Sequence, residues 1–172
     1  MSEQLLPPKP AFLRLPLLQP SNVRMMAWDG EVKRQPLKAS SFARRAGLRY
    51  ESAVKKFLKQ ELLGVKFGVW FSYDDGITHR KCQVDALYES GRVVTIIEIK
   101  HHHTSDCWWQ LRKLYEPILR KYYRSGQDLN LLEICKHYDP AISFPEQIEQ
   151  VFDLRGWCEV PSPYFGVFSW RR

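Results

Sequence analysis

One stretch, residues 93–100 with the sequence VVTIIEIK, decides the fold predicted for this chain. Apolar residues occupy both faces of the stretch, which is typical of a central strand that is covered on both sides. Glu98 and Lys100 interrupt this pattern near its end, and they share a face because strand side chains alternate. Two charges in such a strand are unfavourable unless they pair or bind something, so this strand end is the first candidate for a functional site.

The preceding segment brings a second carboxylate to the same place. Residues 80–88 predict a strand that joins the central one through a turn at residues 89–91. Pairing about this turn brings Asp85 to within about two residues of Glu98. Neighbouring carboxylates repel each other, and a divalent cation commonly resolves the repulsion. An earlier strand, residues 65–73, alternates apolar side chains that are expected on one face: Val65, Phe67, Val69 and Phe71.

A helix is predicted over residues 40–63, begun by a serine cap and ended at Gly64. Its apolar stripe consists of residues at helical spacing: Leu48, Val54, Leu58 and Leu62. Glu51 interrupts this stripe, although surface helices carry acids on the opposite face. An acid on a buried stripe needs a partner, and a metal site at the adjoining sheet end would supply one.

The element order predicts a mixed α/β domain over residues 40–155. A second helix runs from about Ser105 to Tyr123 with a kink at Pro117, and a strand follows near residues 129–135. The order is therefore α-β-β-β-α-β, with extra elements beyond it. Residues 1–39 predict an extended, proline-rich basic arm and residues 156–172 an aromatic tail. We expect these arms to dock on the domain, on a second copy of the chain, or on a protein partner.

The motifs resemble those of a known superfamily. The four segments are Gly47-Leu48-Arg49-Tyr50-Glu51, Val84-Asp85-Ala86, Ile97-Glu98-Ile99-Lys100 and the helical Gln110. Together they are similar to the PD-(D/E)XK nucleases, and the glutamate and glutamine point to the RecB-like exonuclease branch. The resemblance covers about residues 42–135. It implies a restriction-endonuclease-like αβββαβ core, with a mixed central sheet flanked by helices.

The sequence departs from that pattern at two positions. Val84 stands where proline often precedes the aspartate, and Leu114 stands where the branch usually has tyrosine four residues after the glutamine. Tyr115 follows one position later.

The resemblance also implies roles for these residues. Glu51, Asp85, Glu98 and the Ile99 carbonyl would bind Mg²⁺ or Mn²⁺. Lys100 would position or deprotonate the attacking water, and Gln110 would lie beside the scissile phosphate. The resulting expectation is a metal-dependent deoxyribonuclease.

Further residues are candidates for contacts with DNA: His101, His103, Trp109, Arg112 and Lys113. Each also has a structural explanation. Three consecutive histidines, residues 101–103, cannot all face one zinc ion. If they do not contact DNA, they would form a polar loop. Trp109 would stack on a base or pack in the core, and the two basic residues would track a phosphate backbone or form a solvated helix face.

Composition is compatible with this interpretation. The 172 residues carry a net charge of +7, which favours polyanionic partners, and 44% hydrophobic residues suffice for a core. The absence of a long apolar run or a leader-like start predicts a cytoplasmic protein without a membrane association. Four scattered cysteines, without a CxxC pair, predict reduced core thiols and no iron–sulfur cluster.

Two alternatives remain open from the sequence. The first is a catalytically silent nuclease fold that serves as a structural or DNA-binding part of a larger assembly. The second, within enzymes, is an endonuclease such as a junction resolvase or the transposon end-cleaving subunit TnsA. Cleavage mode stays undecided, and a nuclease of this size would suit a phage or mobile element.

Overall fold

The computed structural model describes residues 17–27, 41–123, 126–162 and 164–171. A seven-stranded mixed sheet forms its centre, with the strand order β1-β2-β3-β4-β5-β7-β6. The strands are β1 (Ser21–Ala27), β2 (Lys66–Asp74), β3 (His79–Ser90), β4 (Val93–His102), β5 (Asp128–His137), β6 (Glu149–Gln150) and β7 (Phe165–Ser169). The first four strands are antiparallel, whereas β5, β7 and β6 continue the sheet in parallel.

Helices cover both faces of this sheet. Helix α1 (Phe42–Glu61) and helix α4 (Leu154–Glu159) contribute to one apolar cluster. The other cluster lies under a continuous helical segment made of α2 (Ser105–Trp109), a π-helical turn (Gln110–Tyr115) and α3 (Glu116–Tyr123). The mixed α/β class and the predicted α-β-β-β-α-β order are therefore confirmed. No described helix combines the length and the apolar character that crossing a membrane requires.

The predicted limits of α1 are close to those observed, but its buried face differs. The Ser41 side chain caps the helix by accepting a hydrogen bond from the Arg44 N–H, and Gly64 lies beyond the end with φ +85°. Val54, Leu58 and Leu62 are buried as predicted. Leu48 is instead 43% exposed, and Tyr50 takes the buried position.

Strand β2 does not present all its apolar residues on one face, which corrects the predicted alternation. Phe67 packs in the cluster beneath α1, whereas Val69 and Phe71 pack in the opposite cluster. Gly68 lies between them with φ +57°, a conformation that interrupts the pleat and favours glycine. It falls between the pairs Phe67–Ala86 and Val69–Val84, and therefore opposite Asp85 of β3.

The predicted arms are also partly incorporated in the sheet. Residues 1–16 and 28–39 of the first arm lie outside the described residues, but residues 21–27 form β1 at the sheet edge. Within the predicted tail, residues 165–169 form β7 between β5 and β6. These residues of the tail are therefore an inner strand of the sheet, with the alternate side chains Phe165 and Val167 buried in the core. The four cysteines are buried free thiols.

The incorporation of β7 predicts a strong effect of a small substitution. A Cβ atom at Gly166 would lie 2.6 Å from Val151 Cγ2 and 2.7 Å from Trp157 Cζ2. We expect Gly166→Ala to lower the free energy of unfolding by about 1–3 kcal/mol, because the packed neighbours must shift. The measurement is urea-induced unfolding followed by circular dichroism.

Gly47→Ala is the matched control, since a Cβ atom added at this position in α1 would meet no described atom within 4 Å. It should raise stability by about 0.5–1 kcal/mol through helix propensity. Equal stability of the Gly166→Ala variant and the wild type would contradict the packing described for β7.

Candidate active site

The candidate site lies at the end of the sheet where β3 and β4 separate. Their backbone pairing ends at Ala86 and Ile97, directly before Asp85 on β3. Beyond this point Asp85 Oδ2 accepts a hydrogen bond from the Ile99 N–H at 2.9 Å. The side chain thus replaces a backbone partner and bridges the diverging strands. Because it bridges them, the Asp85 carboxylate lies beside the face of β4 that carries Glu98.

Glu98 is a buried acid with one unsatisfied oxygen. Its side chain is almost fully enclosed, and Oε1 lies 2.7 Å from Lys100 Nζ on the same face of β4. Oε2 has no hydrogen-bond partner among the described residues. Burial raises the pKa of the Glu98 carboxyl to about 8; Asp85 adds to the rise, and Lys100 opposes it. An additional cation at Oε2 would therefore stabilise the ionised form.

Asp85 and Lys100 have perturbed ionisation for related reasons. Burial raises the pKa of the Asp85 carboxyl, the Ile99 N–H opposes this, and the charge of Glu51 adds to the rise. Burial alone would lower the pKa of Lys100, but its ion pair with Glu98 outweighs burial and raises it. Three acids therefore share this strand end with two lysines, Lys55 and Lys100, each of which is already paired with one of them.

A chain of hydrogen bonds connects Lys100 to the helical segment. Lys100 Nζ donates to Gln110 Oε1 at 3.0 Å, and Gln110 Nε2 contacts the Tyr115 hydroxyl. The Tyr115 hydroxyl then donates to the carbonyl of Gln83 at 2.7 Å. The chain holds the ammonium between Glu98 and Gln110, which limits the orientations of the lysine side chain.

The π-helical turn accounts for the displaced tyrosine noted in the sequence. In this turn the Glu116 N–H bonds to the Leu111 carbonyl, five residues earlier. Pro117 follows immediately. It has no N–H to donate, and in a regular α-helix its ring would crowd the carbonyl four residues before it. The π-helical turn therefore forms where proline disrupts the regular helix. The wider turn brings position 115, rather than 114, over the sheet beside Gln110.

Glu51 lies beside the site, on the helix face of Val54 and Leu58, but it is only partly buried, whereas the sequence interpretation expected a buried acid. It is 30% exposed and forms an ion pair with Lys55 at 2.8 Å. Its charge is nevertheless close enough to raise the pKa of both Asp85 and Glu98. The candidate ligand atoms of Glu51, Asp85 and Glu98 do not all lie within 4.8 Å of one another.

Among the residues that the structure describes, one group of three potential ligands does meet that distance: His103, Glu133 and Cys135. This group was not expected from the sequence, in which residues 129–135 are predicted only as a strand. The available signal was Glu133 itself, an acid within the apolar run of residues 131–135, as Glu98 is within residues 93–99.

Three of the predicted DNA contacts, those of Trp109, Lys113 and His101, lie where their side chains are at least partly accessible. Lys113 and Trp109 line a cavity of about 1200 Å³ that also reaches Lys100 and Gln110. His101 is partly buried at the exit of β4, with its ring beside Tyr50.

His103 and Arg112 are engaged within the protein, and burial argues against the predicted DNA contact of His103. His103 is 2% exposed and is paired with Glu133. The Arg112 guanidinium donates to two carboxylates within the protein, those of Glu116 and Glu146. Both side chains are therefore occupied by carboxylates of the protein.

Comparisons of this chain with family models, with curated proteins and with solved structures find no match. The functional interpretation therefore depends on the residues and on their geometry.

Buried Glu98 predicts a specific pH dependence in chelator-treated protein. Its folded-state pKa, about 8, lies above the ordinary glutamate value of 4.5. Its contribution to stability is therefore complete below pH 4.5 and is lost as the pH rises toward 8. Relative to wild type, Glu98→Gln should gain about 2–4 kcal/mol across that range.

Urea unfolding at successive pH values in EDTA measures this difference. Glu149→Gln, at an exposed position, is the control and should change stability little at any pH. A Glu98→Gln difference that stays constant with pH would show that Glu98 remains ionised within its pair with Lys100.

Proposed function

We propose that this chain is a metal-dependent nuclease with a restriction-endonuclease-like core, which hydrolyses phosphodiester bonds in DNA. One observation carries the proposal: a buried Glu98 oxygen without a partner in the described chain lies beside Asp85 and a lysine that is already paired. A buried carboxylate with a free oxygen is unfavourable in a purely structural role. A divalent cation would satisfy that oxygen and offset the repulsion between the acids.

The donor set fits a hard cation. Carboxylate oxygens of Asp85 and Glu98 and the carbonyl of Ile99 are the ligand types preferred by Mg²⁺ and Mn²⁺. Glu51, at the margin of the site, would complete the set or orient a water. When bound, the ion would polarise the phosphate and lower the pKa of a coordinated water.

The surroundings of Lys100 support its proposed role. Its ammonium is held by Glu98 and Gln110 and borders the large cavity from which a substrate would approach. At that place Nζ can orient the attacking water or stabilise negative charge on the phosphate. Gln110, hydrogen-bonded to the same ammonium, would then lie beside the scissile phosphate.

Two depressions flank the site and support a polyanionic substrate. The cavity at Lys100 carries Lys113 and Trp109 on its wall. On the other side, a shallow depression of about 410 Å³ on α1 is lined by Glu51 together with Lys55, Lys56 and Lys59. Lysines on both sides of a pair of acids would hold a phosphate backbone across the site, in agreement with the net charge of +7.

A second candidate function is a nuclease fold that binds DNA or a partner without cleaving. The observation that favours it is the separation of the Glu51, Asp85 and Glu98 ligand atoms beyond a shared 4.8 Å. Calorimetric titration with Mn²⁺ discriminates the two. Binding that is lost in Asp85→Asn supports the enzyme, whereas no heat of binding supports the silent fold.

The decisive test is cleavage of supercoiled circular, linear double-stranded and single-stranded DNA with Mg²⁺, Mn²⁺ or EDTA. We expect metal-dependent cleavage, with activity falling about 10²–10⁴-fold in Lys100→Met and at least as far in Glu98→Gln. Cutting of the circle would indicate an endonuclease, and cutting restricted to free ends an exonuclease.

The chain offers a control in Lys66→Met, because Lys66 forms an ion pair with Glu89, close to the turn that joins β3 to β4. This variant should retain wild-type activity. Cleavage in EDTA, or full activity in Lys100→Met, would contradict the proposed mechanism.

The lysines of α1 predict a change in the salt dependence of binding. Lys56 and Lys59 are exposed beside Glu51. If both contact phosphates, the double variant Lys56→Gln, Lys59→Gln should reduce the slope of log affinity against log salt by about 2. Fluorescence anisotropy with labelled DNA in Ca²⁺ buffer measures the slope. Lys66→Gln is the control and should leave it unchanged, whereas an unaltered slope in the double variant would exclude α1 from the interface.

A further inference from the structure

A second buried acid lies directly beside the candidate active site. Glu133 of β5 is the parallel-sheet partner of Glu98 of β4, and the two side chains point to the same face. Glu133 is fully buried, and its Oε2 lies 2.9 Å from His103 Nδ1. Within the described ranges, neither Glu133 Oε1 nor His103 Nε2 has a hydrogen-bond partner. Two unsatisfied polar atoms thus lie within one fully buried hydrogen-bonded pair.

Cys135 completes a cluster with this pair. It lies two residues after Glu133 on the same strand and is fully buried. One ligand atom from each of His103, Glu133 and Cys135 lies within 4.8 Å of the other two. The rings of Tyr138 and Phe144 cover His103, with centroid separations of 4.8 and 4.9 Å. The cluster is therefore enclosed by aromatic side chains and separated from bulk water.

We propose that His103, Glu133 and Cys135 form a structural zinc site. An imidazole nitrogen, a carboxylate oxygen and a thiolate are all ligands of Zn²⁺. Together they would fill three of the four positions of a tetrahedral zinc site. A thiolate and a carboxylate together carry two negative charges, which the ion would neutralise within the interior. The fourth position would be taken by the second Glu133 oxygen or by a water.

The chemistry of this cluster distinguishes it from the site at Asp85 and Glu98. A thiolate selects zinc over magnesium, whereas an all-oxygen set favours magnesium or manganese. The zinc site does not depend on the nuclease proposal, since none of its ligands belongs to the catalytic set. Its effect would be mechanical: it would attach the segment that follows Lys100 to β5, and so hold the end of β4 in place.

The surface histidines offer a competing position for zinc. The rings of His101, His102 and His137 are mutual neighbours, with centroids 4.6–5.1 Å apart. Their nitrogens are not among the described groups that approach within 4.8 Å of one another. Zinc at these residues would have nitrogen ligands and no sulfur, so the two positions can be distinguished spectroscopically.

The test begins with the wild-type chain purified from zinc-supplemented culture without an affinity tag that binds metal. We expect about one zinc per chain by plasma mass spectrometry, and one sulfur ligand in the zinc-edge X-ray absorption spectrum. Cobalt substitution should give a thiolate-to-metal charge-transfer band. Absence of stoichiometric zinc, or a spectrum with nitrogen and oxygen ligands only, would overturn the proposal without any variant.

Variants then assign the ligands. Cys135→Ser and His103→Gln should weaken zinc affinity by at least about 100-fold, more than is lost when only a residue that orients a ligand is replaced. Cys158→Ser is the matched control, because Cys158 is equally buried but belongs to the cluster on the opposite face of the sheet. It should keep the zinc and the charge-transfer band. Zinc retained in Cys135→Ser, or lost in folded Cys158→Ser, would overturn the assignment.

Discussion

The hydrogen bond from the Ile99 N–H to the Asp85 carboxylate is the contact on which the candidate site depends. It forms where backbone pairing between β3 and β4 has ended, opposite the left-handed Gly68 of β2. Without a side-chain acceptor there, Ile99 would present an unpaired N–H at the opening of the sheet, which is costly in a partly buried position. The same contact fixes Asp85 beside Glu98, so the local geometry of three strands determines which charges meet.

Two parallel strands carry acids at equivalent positions, and each acid has a different partner. Glu98 is paired with the flexible ammonium of Lys100, at the border of a large cavity. Glu133 is paired with the imidazole of His103, inside an aromatic enclosure. Both retain one oxygen without a partner in the described chain. The two acids therefore differ in their access to solvent rather than in type, and this difference is the basis for proposing a reactive site at Glu98 and a structural site at Glu133.

The period-two pattern was sufficient to predict the central strand, the shared face of Glu98 and Lys100, and the proximity of Asp85. Helical spacing likewise predicted α1 to within two residues at either end. These periodic patterns gave wrong predictions where an irregularity of the backbone changes which face the following side chains occupy. Gly68 reverses the faces of β2, and the π-helical turn substitutes Tyr115 for Leu114. No periodic template contains such features, and their positions depend on tertiary contacts.

The sequence also could not show which polar side chains are already paired within the protein. Arg112 and His103 were candidate DNA contacts by type and position, but each is engaged by an acid from a distant segment: Glu146 in one case and Glu133 in the other. Glu133 and Cys135 were predicted only as strand residues, because ligands that converge from two strands and a following segment have no characteristic spacing.

The position of β7 has a consequence for how the chain reaches its native state. This strand is among the last described segments to be synthesised, yet it lies between β5 and β6 in the sheet. Until it arrives, β5 presents an unpaired and largely apolar edge, which is a template for intermolecular pairing. The pairing of β5 with β7 also joins residues more than thirty positions apart, and such non-local contacts form slowly. A nascent chain therefore passes through a period of vulnerability to aggregation that ends when residues 165–169 enter the sheet.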